Sequence, residues 1–304
     1  MPIAYVFPGQ GSQQVGMGQA WLDREDCVRS TFAEADEALG DSLSTVILEG
    51  PIEALTKTEN TQPALLTVSV AYWRVLEAHG LQPDVVAGHS LGEYSALVCA
   101  GALSFADAVR LTRLRGQAMQ SAVPLGEGTM AAIIGIRDPA VVESICEEAA
   151  QGQVVEPAGF NTPGQVVIAG HVDAVDRACA IAKERRGIPK KLNVSAPFHC
   201  ALLVPAGEQL EAALADVDIQ TPRVPYVPNV TAQWCVDSEP DTIRRHLVEQ
   251  VSKPVLWQQT MQTLADNGVD RWLEVGAGKT LCGLVRRFDR KAEAAGFEDE
   301  AWQS

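Results

Sequence analysis

The chain has 304 residues, 46% of them hydrophobic and 21% charged, which suits one large α/β domain or a large domain carrying a smaller one. That composition excludes disorder except from Glu293 to Ser304, where apolar periodicity fades. A net charge of −15 excludes nucleic acid as a partner, because phosphates demand a basic face.

In chain order, the apolar run Ile3 to Phe7 ends in Pro8-Gly9 and predicts a buried first strand. Gln62 to His79 predicts a helix with Pro63 early and Gly80 closing it. Asp84 to Gly88 predicts a second buried strand, followed by a helix from Leu91 to Ala100 and another, capped by Ser104, to about Ser121. Thr129–Gly135 strand, Asp138–Gln151 helix, Val154–Phe160 strand, Gln165–Ala169 strand, Val172–Arg186 helix and Lys190–Ser195 strand follow in the order βαββαβ, the ferredoxin-like arrangement. Strands at Val224–Val230 and Asp270–Val275 and helices at Glu239–Val251 and Pro254–Asn267 complete the pattern. Strands alternating with helices indicate a mostly parallel sheet. The expected fold is therefore α/β: a discontinuous large domain, residues 1–127 and 196–304, with a ferredoxin-like small domain, residues 128–195, inserted.

Gly88-His89-Ser90-Leu91-Gly92 matches G-x-S-x-G between a strand and a helix, the setting of a nucleophile elbow. Small neighbours permit the strained turn, and the following helix offers its N-terminal amides, Leu91 N–H first, to a developing oxyanion. A serine nucleophile needs a base. His79, His171 and His246 lie in polar surroundings and are expected to be solvated, and His89 is expected to be structural, facing away from the serine. His199, in Ser195-Ala196-Pro197-Phe198-His199-Cys200, has apolar neighbours that would keep its imidazole neutral and able to accept a proton.

Arg115 falls in the middle of the apolar arc of its helix, made by Phe105, Ala108, Leu111, Thr112, Ala118 and Met119. A charge there must find an anion. A protein carboxylate or helix carbonyls would serve, and so would a substrate carboxylate gripped bidentately, with Gly116 leaving room for the ligand. Seven scattered cysteines without CxxC spacing read as small core residues in a reducing compartment, and five histidines without HExxH spacing predict no metal site. With no signal peptide and no bilayer-spanning run, a cytoplasmic protein without a membrane partner is expected.

These residues resemble the malonyl-CoA:acyl carrier protein transacylases of fatty acid and polyketide synthesis over nearly the whole chain. The resemblance rests on Phe7-Pro8-Gly9-Gln10-Gly11-Ser12-Gln13, the elbow with Glu93, Leu114-Arg115-Gly116, and Met130-Ala131-Ala132-Ile133. It continues in Asn161 with Gly164-Gln165-Val166-Val167, in Ala196-Pro197-Phe198-His199 and in Glu274-Val275-Gly276-Ala277-Gly278-Lys279. It implies that Ser90 is acylated, that His199 is the base, and that the amides of Gln10 and Leu91 form the oxyanion hole. It further implies that Arg115 holds the malonyl carboxylate and that the Gln250 main-chain carbonyl orients the histidine. Phe198, Met130 and Asn161 would line the acyl pocket, with Phe198 crowding an α-methyl group.

On this reading malonyl-CoA and an acyl carrier protein are the partners, no cofactor is required, and the chain is a monomer. A hydrolase using the same serine and a non-catalytic carrier-docking module remain as alternatives. Gly9-Gln10-Gly11 lacks the third glycine of a dinucleotide fingerprint, since position 14 is Gln14, and Gly278-Lys279-Thr280 lacks the first glycine of a phosphate loop, since position 273 is Leu273. Docking of an acidic carrier would fall to Lys183, Arg185, Arg186, Lys190 and Lys191, or to Arg286, Arg287, Arg290 and Lys291.

Overall fold

The structure is a computed structural model that describes residues 2–303. Strand β1 (Ile3–Phe7) is followed by helices α1 (Gln19–Leu22), α2 (Asp26–Leu39), α3 (Leu43–Glu49), α4 (Ile52–Thr56) and α5 (Thr58–Ala78). Strand β2 (Val85–Gly88) leads into α6 (Gly92–Cys99) and α7 (Phe105–Ser121). Next come β3 (Gly128–Ile134), α8 (Pro139–Ala150), β4 (Val155–Thr162), β5 (Gln165–His171), α9 (Val172–Glu184) and β6 (Ile188–Lys191). The remainder comprises α10 (Val204–Leu214), β7 (Tyr226–Val227), α11 (Pro240–Ser252), α12 (Trp257–Asp266), β8 (Arg271–Glu274), α13 (Thr280–Phe288) and β9 (Glu293–Gly296).

Five strands form a parallel sheet in the order β7-β2-β1-β8-β9. Because strand side chains alternate, Tyr5 and Phe7 enter one apolar core while Ala4 and Val6 enter another on the opposite face. Both faces are thus covered, as a parallel sheet requires. The loops after β1, β2 and β8 all leave the carboxyl edge, where open α/β sheets place their ligand crevice.

The second sheet is antiparallel, in the order β4-β5-β3-β6, and has the ferredoxin-like arrangement expected from the βαββαβ pattern. Its alternation assigns the two faces. Ala131, Ile133, Val166 and Ile168 pack under α8 and α9, whereas Met130, Ala132 and Val167 point at the larger core. Strand β4 is tied to the segment before α12: Phe160 N donates to Val255 O at 2.9 Å and Val255 N to Ala158 O at 3.0 Å.

Several expected boundaries move. The helix expected from Gln62 begins at Thr58, which places Pro63 in its second turn, inside the helix, where the ring removes the N–H that would otherwise pair with Glu59 O. The last strand of the antiparallel sheet is Ile188–Lys191, so Leu192 and Val194 run beyond it. Only Tyr226–Val227 of the segment Val224–Val230 pairs as a strand. Helix α12 starts at Trp257 because Val255 is engaged by β4.

The C-terminal stretch expected to be disordered is ordered through Gln303, with Ser304 outside the described residues. Phe297 is fully buried, stacked on Tyr72 with ring centroids 4.1 Å apart and on Trp302 at 5.3 Å. With a further contact from Phe297 to Trp21 at 4.7 Å, three aromatic contacts anchor this segment where periodicity is too short to register. Among the described residues no helix is long and apolar enough to cross a membrane, and no group of His, Cys, Asp and Glu side chains could hold a metal ion.

Candidate active site

Ser90 stands between β2 and α6 with φ 52°, a left-handed conformation costing about 1–3 kcal/mol in a residue with a Cβ. The turn needs its glycines for close approach. A Cβ on Gly88 would lie 1.9 Å from the Gly92 carbonyl carbon, and one on Gly92 would lie 2.0 Å from Phe7 O. Asn229, just past β7, braces the turn: Ser90 N donates to its Oδ1 at 2.7 Å, and its Nδ2 donates to Gly88 O at 2.6 Å.

His199 reaches Ser90 from the segment before α10, itself at φ 61°. Its Nε2 is 2.7 Å from Ser90 Oγ and its Nδ1 is 2.7 Å from Gln250 O. A carbonyl only accepts, so Nδ1 carries the proton and Nε2 presents its lone pair to the serine hydroxyl. Burial, reinforced by the Arg115 charge, pushes the imidazole down to about 3, which keeps it neutral and receptive.

Arg115 is buried in the middle of the α7 arc. Its Nη1 donates to Gln62 Oε1 at 2.7 Å, and its Nη2 donates to Gln250 Oε1 at 2.7 Å and to Ser90 Oγ at 3.2 Å. None of these partners is a carboxylate, so the protein-internal ion pair left open by the sequence is not formed. Burial lowers the guanidinium's proton affinity, and Arg115 Nε has no hydrogen-bond partner among the described residues. The site thus holds a desolvated cation beside Ser90 with its charge uncompensated by direct contact.

A cavity of about 340 Å³ opens over these groups. Gln10, Gln62, His89, Leu91, Met119 and Phe198 line it, together with Met130, Ala132, Asn161, Gln165 and Val167 from the antiparallel sheet. The amides of Gln10 and Leu91 have no acceptor among the described residues, which leaves both free to donate into it. The Gly9-Gln10 turn and Thr280 border the cavity, so the two glycine-rich segments dismissed as nucleotide motifs do flank the site.

Three expectations need correction. Gly116 makes no room for a ligand; a Cβ there would lie 2.6 Å from Thr58 O, so it lets α7 approach α5 closely. His246 is buried instead of solvated, with Nδ1 3.3 Å from the Tyr226 hydroxyl. His89 does not turn away: it lines the cavity, with Nε2 2.9 Å from Asn161 Oδ1. His79 is exposed beside Glu25 and His171 is half-buried, accepting from Val154 N at 3.0 Å.

Sequence reasoning missed Gln62, Glu93 and Asn229 as members of the cluster. Gln62 and Glu93 carried the same signal as Arg115, a polar side chain on a wholly buried helical face. Asn229 follows a two-residue strand and has no such mark.

Residues 4–295 match the model of the acyl transferase domain family. The chain is 52% identical over 290 residues to the malonyl CoA-acyl carrier protein transacylase of Escherichia coli (strain K12), covering 94% of this chain and 92% of that protein. It is 45% identical to the protein of that name in Bacillus subtilis (strain 168), covering 98% and 93%. The chain belongs to the malonyl-CoA:acyl carrier protein transacylase family.

Solved structures of the family agree. The transacylase from Coxiella burnetii superposes with a TM-score of 0.95 at 47% identity, covering 98% of this chain and 94% of that one. A malonyl-transacylase in complex with its type II PKS acyl-carrier protein superposes with a TM-score of 0.94 at 45% identity, covering 97% and 96%.

Proposed function

We propose that this chain moves malonyl groups from malonyl-CoA to the pantetheine thiol of an acyl carrier protein, in fatty acid or polyketide synthesis, with Ser90 as the acylated nucleophile. The observation that carries the proposal is one oxygen with two partners: Ser90 Oγ lies 2.7 Å from His199 Nε2 and 3.2 Å from Arg115 Nη2. A base and a carboxylate-binding cation converge on the same atom, which suits a thioester bearing a carboxylate two carbons from the reacting carbonyl.

In the first half-reaction Ser90 Oγ bonds to the thioester carbon as its proton passes to His199 Nε2. The oxyanion accepts hydrogen bonds from the amides of Gln10 and Leu91. The carbon–sulfur bond then breaks, and the coenzyme A sulfur takes the proton from Nε2, leaving malonyl-Ser90. In the second, the pantetheine thiol gives its proton to Nε2, attacks the acyl-serine carbonyl, and Ser90 leaves with that proton. Gln250, through its main-chain carbonyl, keeps the imidazole in one tautomer throughout. Phe198, Met130 and Asn161 bound the acyl group, and no cofactor takes part.

We further propose that the carrier docks at the end of α13. Arg185 and Lys191 of the other basic cluster are already paired, with Glu148 and Asp176. Among the described residues, Arg286 and Arg287 bond to uncharged acceptors alone, and Arg287 donates to the cavity-lining Gln165 at 3.0 Å. Charge reversal at Arg287 that leaves carrier loading unchanged would remove this surface from consideration. The functional unit we propose is a cytoplasmic monomer, with residues 128–195 as the small domain and 1–127 with 196–304 as the large one.

Intact mass after mixing with malonyl-CoA, and again after adding pantetheinylated carrier, tests the reaction. The expected result is a malonyl adduct absent from Ser90→Ala and passed to the carrier. An adduct released to water while the carrier stays unloaded would make the chain a hydrolase instead.

A further inference from the structure

Arg115 poses a physical problem that its direct contacts do not solve. A buried guanidinium without an anion costs several kcal/mol, yet an anion in direct contact would occupy the group that the substrate carboxylate needs. The cluster behind it contains a carboxylate at one remove. Glu93, on the first turn of α6, is 1% exposed. Its Oε2 accepts from Gln250 Nε2 at 2.7 Å, while the Oε1 of the same Gln250 amide accepts from Arg115 Nη2 at 2.7 Å. The order is carboxylate, amide, guanidinium.

A carboxamide is nearly symmetric in shape and differs between its ends only in hydrogen-bond sign. Here both Gln250 Nε2 protons are used, one on Glu93 Oε2 and one on Ser90 O at 2.9 Å, so the oxygen end must face Arg115. The amide dipole then lies between a negative and a positive group, each polarising it in the same sense. Glu93 itself is poorly served: Oε1 has no hydrogen-bond partner among the described residues, and burial pushes the carboxyl up to about 7 against the pull of Gln250, Asn229 and Arg115.

We propose that Glu93 is a positioning residue for the reaction inferred above. Acting through Gln250, it balances and aims the Arg115 guanidinium without occupying the side that receives the acyl carboxylate. The inference rests on that reading of Ser90 and Arg115. It separates two duties of Gln250: the main-chain carbonyl serves His199, and the side chain serves Arg115.

The test compares Glu93→Leu, which removes charge and acceptor, with Glu93→Gln, which keeps an acceptor in one amide orientation. Rates of Ser90 acylation are measured with malonyl-CoA and with acetyl-CoA, which has no carboxylate. Glu93→Leu should lower the malonyl-to-acetyl rate ratio about tenfold, and Glu93→Gln should restore part of it. Equal losses with both acyl groups, or an unchanged ratio, would overturn the proposal.

Nitrogen-15 NMR of the Arg115 guanidinium gives a readout that needs no substrate. Its Nη signals should shift or split in Glu93→Gln, and unchanged signals would also overturn the proposal, even if Glu93→Leu fails to fold. Wild-type protein that malonyl-CoA does not acylate would instead refute the proposed function, and the NMR comparison would still decide the role of Glu93.

Discussion

The two walls of the cavity are built on opposite physical plans. The wall from the parallel sheet and its helices is a continuous hydrogen-bond cluster, in which Ser90, His199, Arg115, Gln62, Gln250, Glu93 and Asn229 each bond to at least one other member. The wall from the antiparallel sheet is largely apolar, contributed by Met130, Ala132, Val167 and the segment through Leu192 and Val194. Its principal polar link to the elbow is Asn161 to His89. On the proposed function, the difference teaches that charge and proton transfer fall to groups that hold one another in place, and acyl shape to a wall where a side chain can change without disturbing a network. Mutations on the first wall should alter reactivity, and those on the second should alter selectivity.

The sharpest way to break this comparison is His199→Ala. It should slow Ser90 acylation roughly 10³- to 10⁴-fold for every acyl-CoA, as read by rapid-quench mass spectrometry. A loss confined to one acyl group would assign His199 to specificity.

Arg115→Ala should come next, lowering acylation by malonyl-CoA about 100-fold and by acetyl-CoA far less in the same assay. Gln250→Glu should act in the same direction, because a carboxylate beside Arg115 competes with that of the substrate.

A Phe198→Ala variant should raise the relative rate for an α-methyl malonyl thioester about tenfold, in keeping with roughly 1–3 kcal/mol for one methyl in a pocket. Competition between the two substrates measures it, and an unchanged ratio would move the α-carbon filter to the antiparallel-sheet wall.

The pH dependence sharpens the same contrast. Burial pushes His199 down to about 3, so its neutral form is lost only as pH falls through that value. Acylation should therefore show no limb from this residue between pH 5 and 8. A limb near 6.5 that disappears in His199→Ala would mean that the imidazole is solvated.

The smallest effect belongs to Asn161→Ala. Loss of its bond to a buried histidine should cost about 1 kcal/mol and lower Tm by about 2–4 °C. Calorimetry reads it, and a drop of more than 10 °C would make this contact a main tie between the two sheets.

Much of this was legible in the residues themselves. The elbow declared itself by five consecutive residues, the βαββαβ insertion by the change of period, and Arg115 by a charge on an apolar arc. Each of those signals is local, because strand and helix periodicities and tight-turn requirements act over a few residues.

Other features depend on contacts across long separations. Glu93 meets Gln250 157 positions away, Ser90 meets Asn229 across 139, and Phe297 stacks on Tyr72. Gly116 was misjudged because the same residue type serves ligand approach and helix approach, and only the partner at 2.6 Å decides which. His246 was misjudged because a polar helix stretch does not reveal which neighbour covers it. The sequence by itself determined the elements, the tight turn at Ser90 and the misplaced charge. Tertiary structure alone decided that the charge is braced by amides instead of neutralised by a carboxylate, since which polar groups meet in the interior depends on how distant segments pack.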